Sequence, residues 1–233
     1  MKSPPDGYTL MLGAPPVVIN PHLYPKPGHD ALRDYAAIAV LGTIPSVLAV
    51  HPSVPAKMLR ELVQIARANP SKLTYGSGAP GSPSHLAGEL FRSLGQFKLL
   101  MVPYKGATFA LVGAMSGEVD IVIVASSSVV PYAKENRVRP LAVLDVKRAA
   151  SLPQVPTTAE AGLLQLVAVN WYMLLAPAAT PRAVVDKLNA ELVRILGLPD
   201  VKERLGAEAY ELPADTPDGF SALIKAELGK WAK

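Results

Sequence analysis

Residues 72–94, KLTYGSGAPGSPSHLAGELFRSL, hold an extended run, a glycine loop and a helix start without a break. Lys72 to Tyr75 reads as a strand, and Gly76-Ser77-Gly78-Ala79-Pro80-Gly81 as the loop that leaves it. Ser82 is placed to cap the helix, and Pro83 presets the backbone at its first position. Leu86, Leu90, Phe91 and Leu94 fall on one face of that helix. This is a βα unit, and similar units flank it.

Upstream, Leu59, Leu62, Val63 and Ala66 recur at i, i+3, i+4 and i+7, and Asn69-Pro70 ends the helix they predict. Downstream, Leu99 to Val102 predicts a strand, Pro103-Tyr104-Lys105-Gly106 a turn, and Phe109, Val112 and Met115 a helix face that stops at Ser116-Gly117. Ile121 to Val124 is a β-branched run of the kind a sheet buries on both sides, and Ala125-Ser126-Ser127-Ser128 leads from it into a short helix. Leu141 to Leu144 is the next strand. Thr157-Thr158-Ala159-Glu160 has capping-box spacing and predicts a small helix. Tyr8 to Leu12 reads as a buried strand leaving into a loop, Val167 to Leu175 as a long extended stretch, and Tyr35 to Val50 as two extended segments divided at Gly42 and Pro45. Thr180-Pro181 and Thr216-Pro217 each place a capping hydroxyl before a proline. Val184, Val185, Leu188, Leu192 and Ile195 are expected to face inward from the first of the helices they open, and Phe220, Leu223, Ile224 and Leu228 from the second. The alternation defines an α/β fold with mainly parallel sheets.

Half of the 233 residues are hydrophobic, enough to bury a substantial core in one large domain or two modest lobes. Charged residues are 18%, and the net charge of +4 is scattered instead of gathered into a basic stripe, which argues against nucleic acid as a partner. The absence of cysteine excludes disulfides, thiolate catalysis and cysteine-ligated metals. No apolar run reaches the roughly 20 residues that a membrane helix needs. Met1 to Gly7 lacks the apolar centre of a secretion signal, so either the protein stays inside the cell or its true beginning lies upstream.

In open α/β sheets, ligands bind beyond the carboxyl ends of the strands, so the loops after Tyr75, Val102 and Val124 are expected to converge. Gly76, Gly78 and Gly81 admit close backbone approach, and the amides opening the Ser82 helix carry partial positive charge, which together suit a carboxylate or phosphate. Ser77, Ser82 and Ser84 add hydroxyls, and Tyr104 and Lys105 a phenol and a cation. Each has a plainer reading, Ser82 as a cap alone and Lys105 as a solvated surface lysine. Gly76 to Gly81 also matches G-x-G-x-x-G, but no carboxylate stands about 20 residues further on to hold a ribose. His85 adjoins Ser84, yet adjacent helical positions diverge and there is no G-x-S-x-G elbow, so no catalytic residue is expected. His22, His29 and His51 are isolated, and neither a metal site nor a cofactor is expected. A transport receptor, an α/β enzyme binding a phosphate-bearing substrate or nucleotide at the Gly76–Gly81 loop, and a degenerate non-binding fragment all remain open on these residues.

Several blocks, in order, resemble the Bug-type receptors of tripartite tricarboxylate transporters: Pro5-Asp6-Gly7-Tyr8-Thr9-Leu10, Asn20-Pro21-His22-Leu23-Tyr24, Tyr75-Gly76-Ser77-Gly78 and Ser84-His85-Leu86-Ala87-Gly88-Glu89-Leu90-Phe91. Val102-Pro103-Tyr104-Lys105-Gly106, Gly117-Glu118-Val119-Asp120, the run from Leu152 to Gly162, and Leu174-Leu175-Ala176-Pro177 with Thr180-Pro181 continue the likeness over nearly the whole chain. The resemblance implies a type II periplasmic-binding-protein-like (Venus flytrap) fold, with a solute held between two lobes that close about a hinge. Residues 1–49 with 170–233 would form lobe 1 and residues 50–169 lobe 2, with crossings near Val47 to Pro52 and Val167 to Tyr172. It further implies a monomeric periplasmic receptor, not an enzyme, that delivers a small carboxylate to membrane transporter subunits. Ser77, Gly78, Ser82, Ser84, Tyr104, Lys105 and Ser126 are then the expected ligand contacts. The family's opening strand, its proline and glycine loop and the next strand and helix have no counterpart before Pro5, so lobe 1 is expected to be incomplete. Ala14-Pro15-Pro16 and Val124 replace the family's hydroxyls and aspartate, and solute preference is expected to differ accordingly.

Overall fold

The computed structural model describes residues 3–23, 28–207, 209–212 and 217–231. Tyr24, the Thr216 cap and the last two residues lie outside the described residues, as do the side chains of His22, Phe220 and Leu223. The chain divides into two compact units, residues 1–43 with 171–233 and residues 44–170.

In the first unit, β1 (Met11–Gly13) pairs antiparallel with β7 (Val169–Pro177), which is in turn hydrogen-bonded to β2 (Tyr35–Val50). Alternation along β7 sorts the core. Met173 and Leu175 face Val18 of α1 (Pro16–Leu23) and Ile224 of α8 (Pro217–Trp231), whereas Ala176 meets Val185 of α6 (Arg182–Leu196) on the other side. Helix α7 (Pro199–Ala207) follows α6 and buries no residue fully.

The second unit orders its strands β4 (Leu100–Pro103), β3 (Thr74–Ser77), β5 (Ile121–Ala125), β2 and β6 (Arg139–Val143). Strand β3 is parallel to both β4 and β5, and β2 runs antiparallel to β5 and β6, so the sheet is mixed where mainly parallel pairing is expected. Ile121 and Ile123 share one core with Leu59, Leu62 and Ala66 of α2 (Leu59–Ala68) and with Phe91 of α3 (Pro83–Gly95). Val122 and Val124 share another with Ala110 and Ala114 of α4 (Ala107–Ser116) and Val129 of α5 (Ser126–Lys134). A sheet covered on both faces explains why β5 is apolar at consecutive positions.

Several local expectations change, beginning with the opening strand, which spans only Met11–Gly13 and leaves Tyr8 and Leu12 exposed instead of buried. Residues 35–50 form one strand, because Pro45 precedes Ser46, the first residue paired to β5, and its missing N–H costs that ladder nothing. On α4 two of the three expected face residues point outward, Phe109 and Val112 at 59% and 53% exposure, while Met115 packs on the core beside buried Ala110, Leu111, Gly113 and Ala114. Small residues let this helix lie close against β3, where a Cβ on Gly76 would stand 3.2 Å from that of Ala110. The Thr157–Glu160 box forms, with Thr157 N–H donating to Glu160 Oε2 at 2.7 Å and Glu160 N–H to Thr157 Oγ1 at 3.1 Å. It caps one turn instead of a helix, since Leu163 N–H returns to Thr158 O and Gly162, at φ +89°, ends the turn. Thr180 Oγ1 has no partner, and α6 starts two residues later with Pro181 ahead of it, so the expected cap is not made. Val185 is buried on α6 and Leu188 and Leu192 pack beside it, but Ile195 is exposed.

Candidate functional site

Three strands of the second unit end at one edge of its sheet. The register sets Ser77 of β3 opposite Pro103 of β4, and Tyr104 N–H donates to Ser77 O at 2.8 Å, which fastens the two exit loops together. Strand β5, parallel to β3, ends beside them at Ala125, and α5 begins at Ser126.

The loop after β3 is held by its own serines. Gly78 N–H donates to Ser84 Oγ at 2.9 Å, Ser82 Oγ lies 3.1 Å from Ser84 Oγ, and Ser77 Oγ lies at a longer 3.4 Å. Ser82 is the N-cap of α3, accepting from His85 N–H at 3.3 Å, and His85 Nδ1 accepts from Gly81 N–H at 3.1 Å. The expected Ser77, Gly78, Ser82 and Ser84 therefore come together, with Ser77 and Ser84 buried. Three hydroxyls span only two oxygen–oxygen contacts, so one hydroxyl hydrogen is left to give to an outside acceptor.

The Tyr104 phenol turns inward. Its oxygen is buried over Gly113 of α4, without a hydrogen-bond partner of good geometry, and burial followed by the nearby Glu118 carboxylate raises its pKa. Lys105 stands exposed on the same turn. Ser126 differs from Ser77, Ser82 and Ser84: it is fully buried at the first position of α5, and its hydroxyl has no hydrogen-bond partner. No side chain caps that helix, so its first amides remain directed outward from the sheet edge. Ser127 and Ser128 follow, half-buried.

Reading the sequence did not single out Ser46 and Asn170. Asn170 Nδ2 donates to Ser46 Oγ at 3.1 Å, joining residues 124 positions apart where the chain passes from one unit to the other. The signal available was a lone serine within the apolar run Ile44–Val50, and the structure shows it buried. Among the described residues no group of three or more His, Asp or Glu side chains could hold a metal ion, and no helix is long and apolar enough to cross a membrane.

Two α/β units linked by strands that pass twice between them, one carrying hydroxyls and amides at its sheet edge, define the architecture of a two-lobed solute-binding protein. The chain belongs to the TctC family, described as the tripartite tricarboxylate transporter family receptor, whose model matches residues 1–233. Protein BugT of Bordetella pertussis (strain Tohama I) is 31% identical over 233 residues, covering 99% of this chain and 72% of the relative. The structure of R. palustris Rpa4515 with adipate is 32% identical at a TM-score of 0.87, covering 99% of this chain and 77% of that one. MatC (Rpa3494) from Rhodopseudomonas palustris with bound malate is 28% identical at a TM-score of 0.84, covering 99% and 80%.

Proposed function

We propose that this chain is a periplasmic receptor that captures a small organic carboxylate, most favourably a dicarboxylate, and delivers it to a tripartite tricarboxylate-type membrane transporter. The observation that carries the reading is the Ser126 hydroxyl, buried at a helix start with no partner, on the edge where the Ser77–Ser84 network also ends. A buried hydroxyl without a partner costs about 1–3 kcal/mol, and an anion seated there would remove that cost while meeting the free amides of α5. Two relatives of similar fold were solved with adipate and with malate, both dicarboxylates. The two compact units, residues 1–43 with 171–233 and residues 44–170, would serve as the two lobes, with boundaries a few residues from the expected 1–49 with 170–233 and 50–169. Ser77, Gly78, Ser82, Ser84, Lys105 and Ser126 would contribute to the grip, and Tyr104 would do so only after its phenol turns outward.

Thermal denaturation against a panel of adipate, malate, simple monocarboxylates, ATP and NAD tests this reading. A saturable rise in Tm with a carboxylate, and none with the nucleotides, is the expected result. Stabilisation by a nucleotide would assign the glycine loop to a phosphate-binding enzyme, and no response to any member of the panel would remove the receptor reading.

A further inference from the structure

The second unit has a groove that the carboxylate site does not use. Helix α5 starts at Ser126 on the serine-lined edge and runs back over its nine residues, about 13 Å, to Lys134. Strands β6 and β5 are both antiparallel to β2, and Pro140 of β6 and Val122 of β5 both sit opposite Ala49. The start of β6 and the end of α5 therefore lie toward the opposite end of the sheet from Ser77 and Ser126. Between them is a groove of about 420 Å³ walled by Ala133, Pro140 and Leu152. That volume falls in the lower part of the range typical of small-molecule sites.

Its polar groups are Lys134, Gln154 and Ser151. An ammonium only donates, a hydroxyl and an amide can donate, and no carboxylate lines the groove. The Ser151 hydroxyl is buried without a partner. Arg148 donates to Pro153 O at 3.0 Å and is paired with Glu160, so it steadies the Pro153 backbone without adding net charge to this side. Lys134 from α5 and Ser151 and Gln154 from the 151–154 segment supply the donors, and Val130, Ala133, Pro140 and Leu152 the apolar surface, a lining that suits a guest with an accepting, negatively charged head and a short apolar body.

We propose that this groove is a second small-molecule site, for an organic anion with a carboxylate head and an aliphatic body. The site stands or falls independently of carboxylate capture at the serine-lined edge. The test is a titration of the ¹⁵N-labelled full chain with hexanoate, followed in amide spectra, with hexylamine as a probe of the same body and opposite charge. Saturable shifts centred on Lys134, Ser151 and Gln154 are expected, with hexylamine leaving these signals in place. Lys134→Gln and Ser151→Ala should each weaken the response at least fivefold, while Ser151→Ala, which deletes an unpartnered hydroxyl, keeps or raises Tm. Hexanoate shifts confined to residues 77–84 and 126, equal response to hexylamine, or unchanged affinity in both variants would overturn the proposal.

Discussion

Helices α3 and α5 both open at the same sheet edge, yet they treat their polar atoms in opposite ways. At α3 the cap oxygen of Ser82 takes His85 N–H, Ser84 takes Gly78 N–H, and the His85 ring takes Gly81 N–H. At α5 no side chain caps the first turn and the Ser126 hydroxyl is buried with nothing to bond. The first start is wired to hold a loop in place, and the second is left incomplete in a way that a bound anion would complete. Hydroxyls that look alike in the sequence thus divide into a scaffold and a candidate receptor surface, and substitutions at the two ends should separate stability from binding.

The foundation of the α3 end should give the largest effect. The Tyr75 ring passes beneath α3 so that its phenol donates to Glu89 Oε1 at 2.6 Å, and a Cβ on Gly88 would stand 2.3 Å from that ring. Gly88→Ala should cost about 2–3 kcal/mol through overpacking, despite alanine's better helix propensity, and lower Tm by several degrees. An unchanged Tm would show that α3 can lift from the sheet without penalty. The same ring gives a pH test. Burial, then the bond to Glu89, raises the Tyr75 pKa above its ordinary value of 10.0. A raised folded-state pKa contributes stability that is fully present below the unfolded value and is lost as pH rises toward the folded one. Stability should therefore decline above about pH 10. The part due to this residue should vanish in Tyr75→Phe, and an identical alkaline decline in that variant would remove Tyr75 as its source.

Next in size is Ser84→Ala, which leaves the buried Gly78 N–H without an acceptor and should cost roughly 1–3 kcal/mol. Ser82→Ala removes a helix cap, worth about 1 kcal/mol. If Ser82 also meets the guest, carboxylate affinity should fall by more than the accompanying stability loss explains, and unchanged affinity would reduce Ser82 to a cap alone. Chemical denaturation run beside ligand titration reads both quantities.

Much of this contrast was legible in the sequence, because the signals were local. The spacing of Leu59, Leu62, Val63 and Ala66 gives the buried face of α2 residue for residue, and Ser82-Pro83 gives the start of α3. What failed was decided by distant partners. Phe109 and Val112 look like a core face, but only small side chains let α4 approach β3, so Ala110 and Ala114 face inward. Thr157 and Glu160 satisfy the rule for a cap, yet the segment is also bound to β6, with Val143 N–H donating to Pro156 O and Thr158 N–H to Val143 O, which leaves room for one turn only. In the site, the serines were found by composition, while the inward turn of Tyr104 depends on Gly113, a residue on the next helix. That Ser126 alone among these serines lacks a partner follows from what surrounds it, and no pattern within residues 125–128 shows it.

Ser126→Ala should produce the smallest change in stability and decides the comparison. The side chain loses one oxygen that bonds nothing in the unliganded protein, so the folded state gives up no hydrogen bond, and relief of an unpartnered buried hydroxyl offsets the small void created. Tm should stay level or rise, within about 0.5 kcal/mol of the parent. Binding should respond differently, because a hydrogen bond to a charged guest is worth about 1.5–3 kcal/mol and its loss corresponds to at least a tenfold fall in affinity. Ser84→Ala reverses the pattern, with stability falling first. If Ser126→Ala instead lowers Tm as much as Ser84→Ala and leaves carboxylate affinity intact, the hydroxyl is structural, and the two helix starts differ in sequence but not in role.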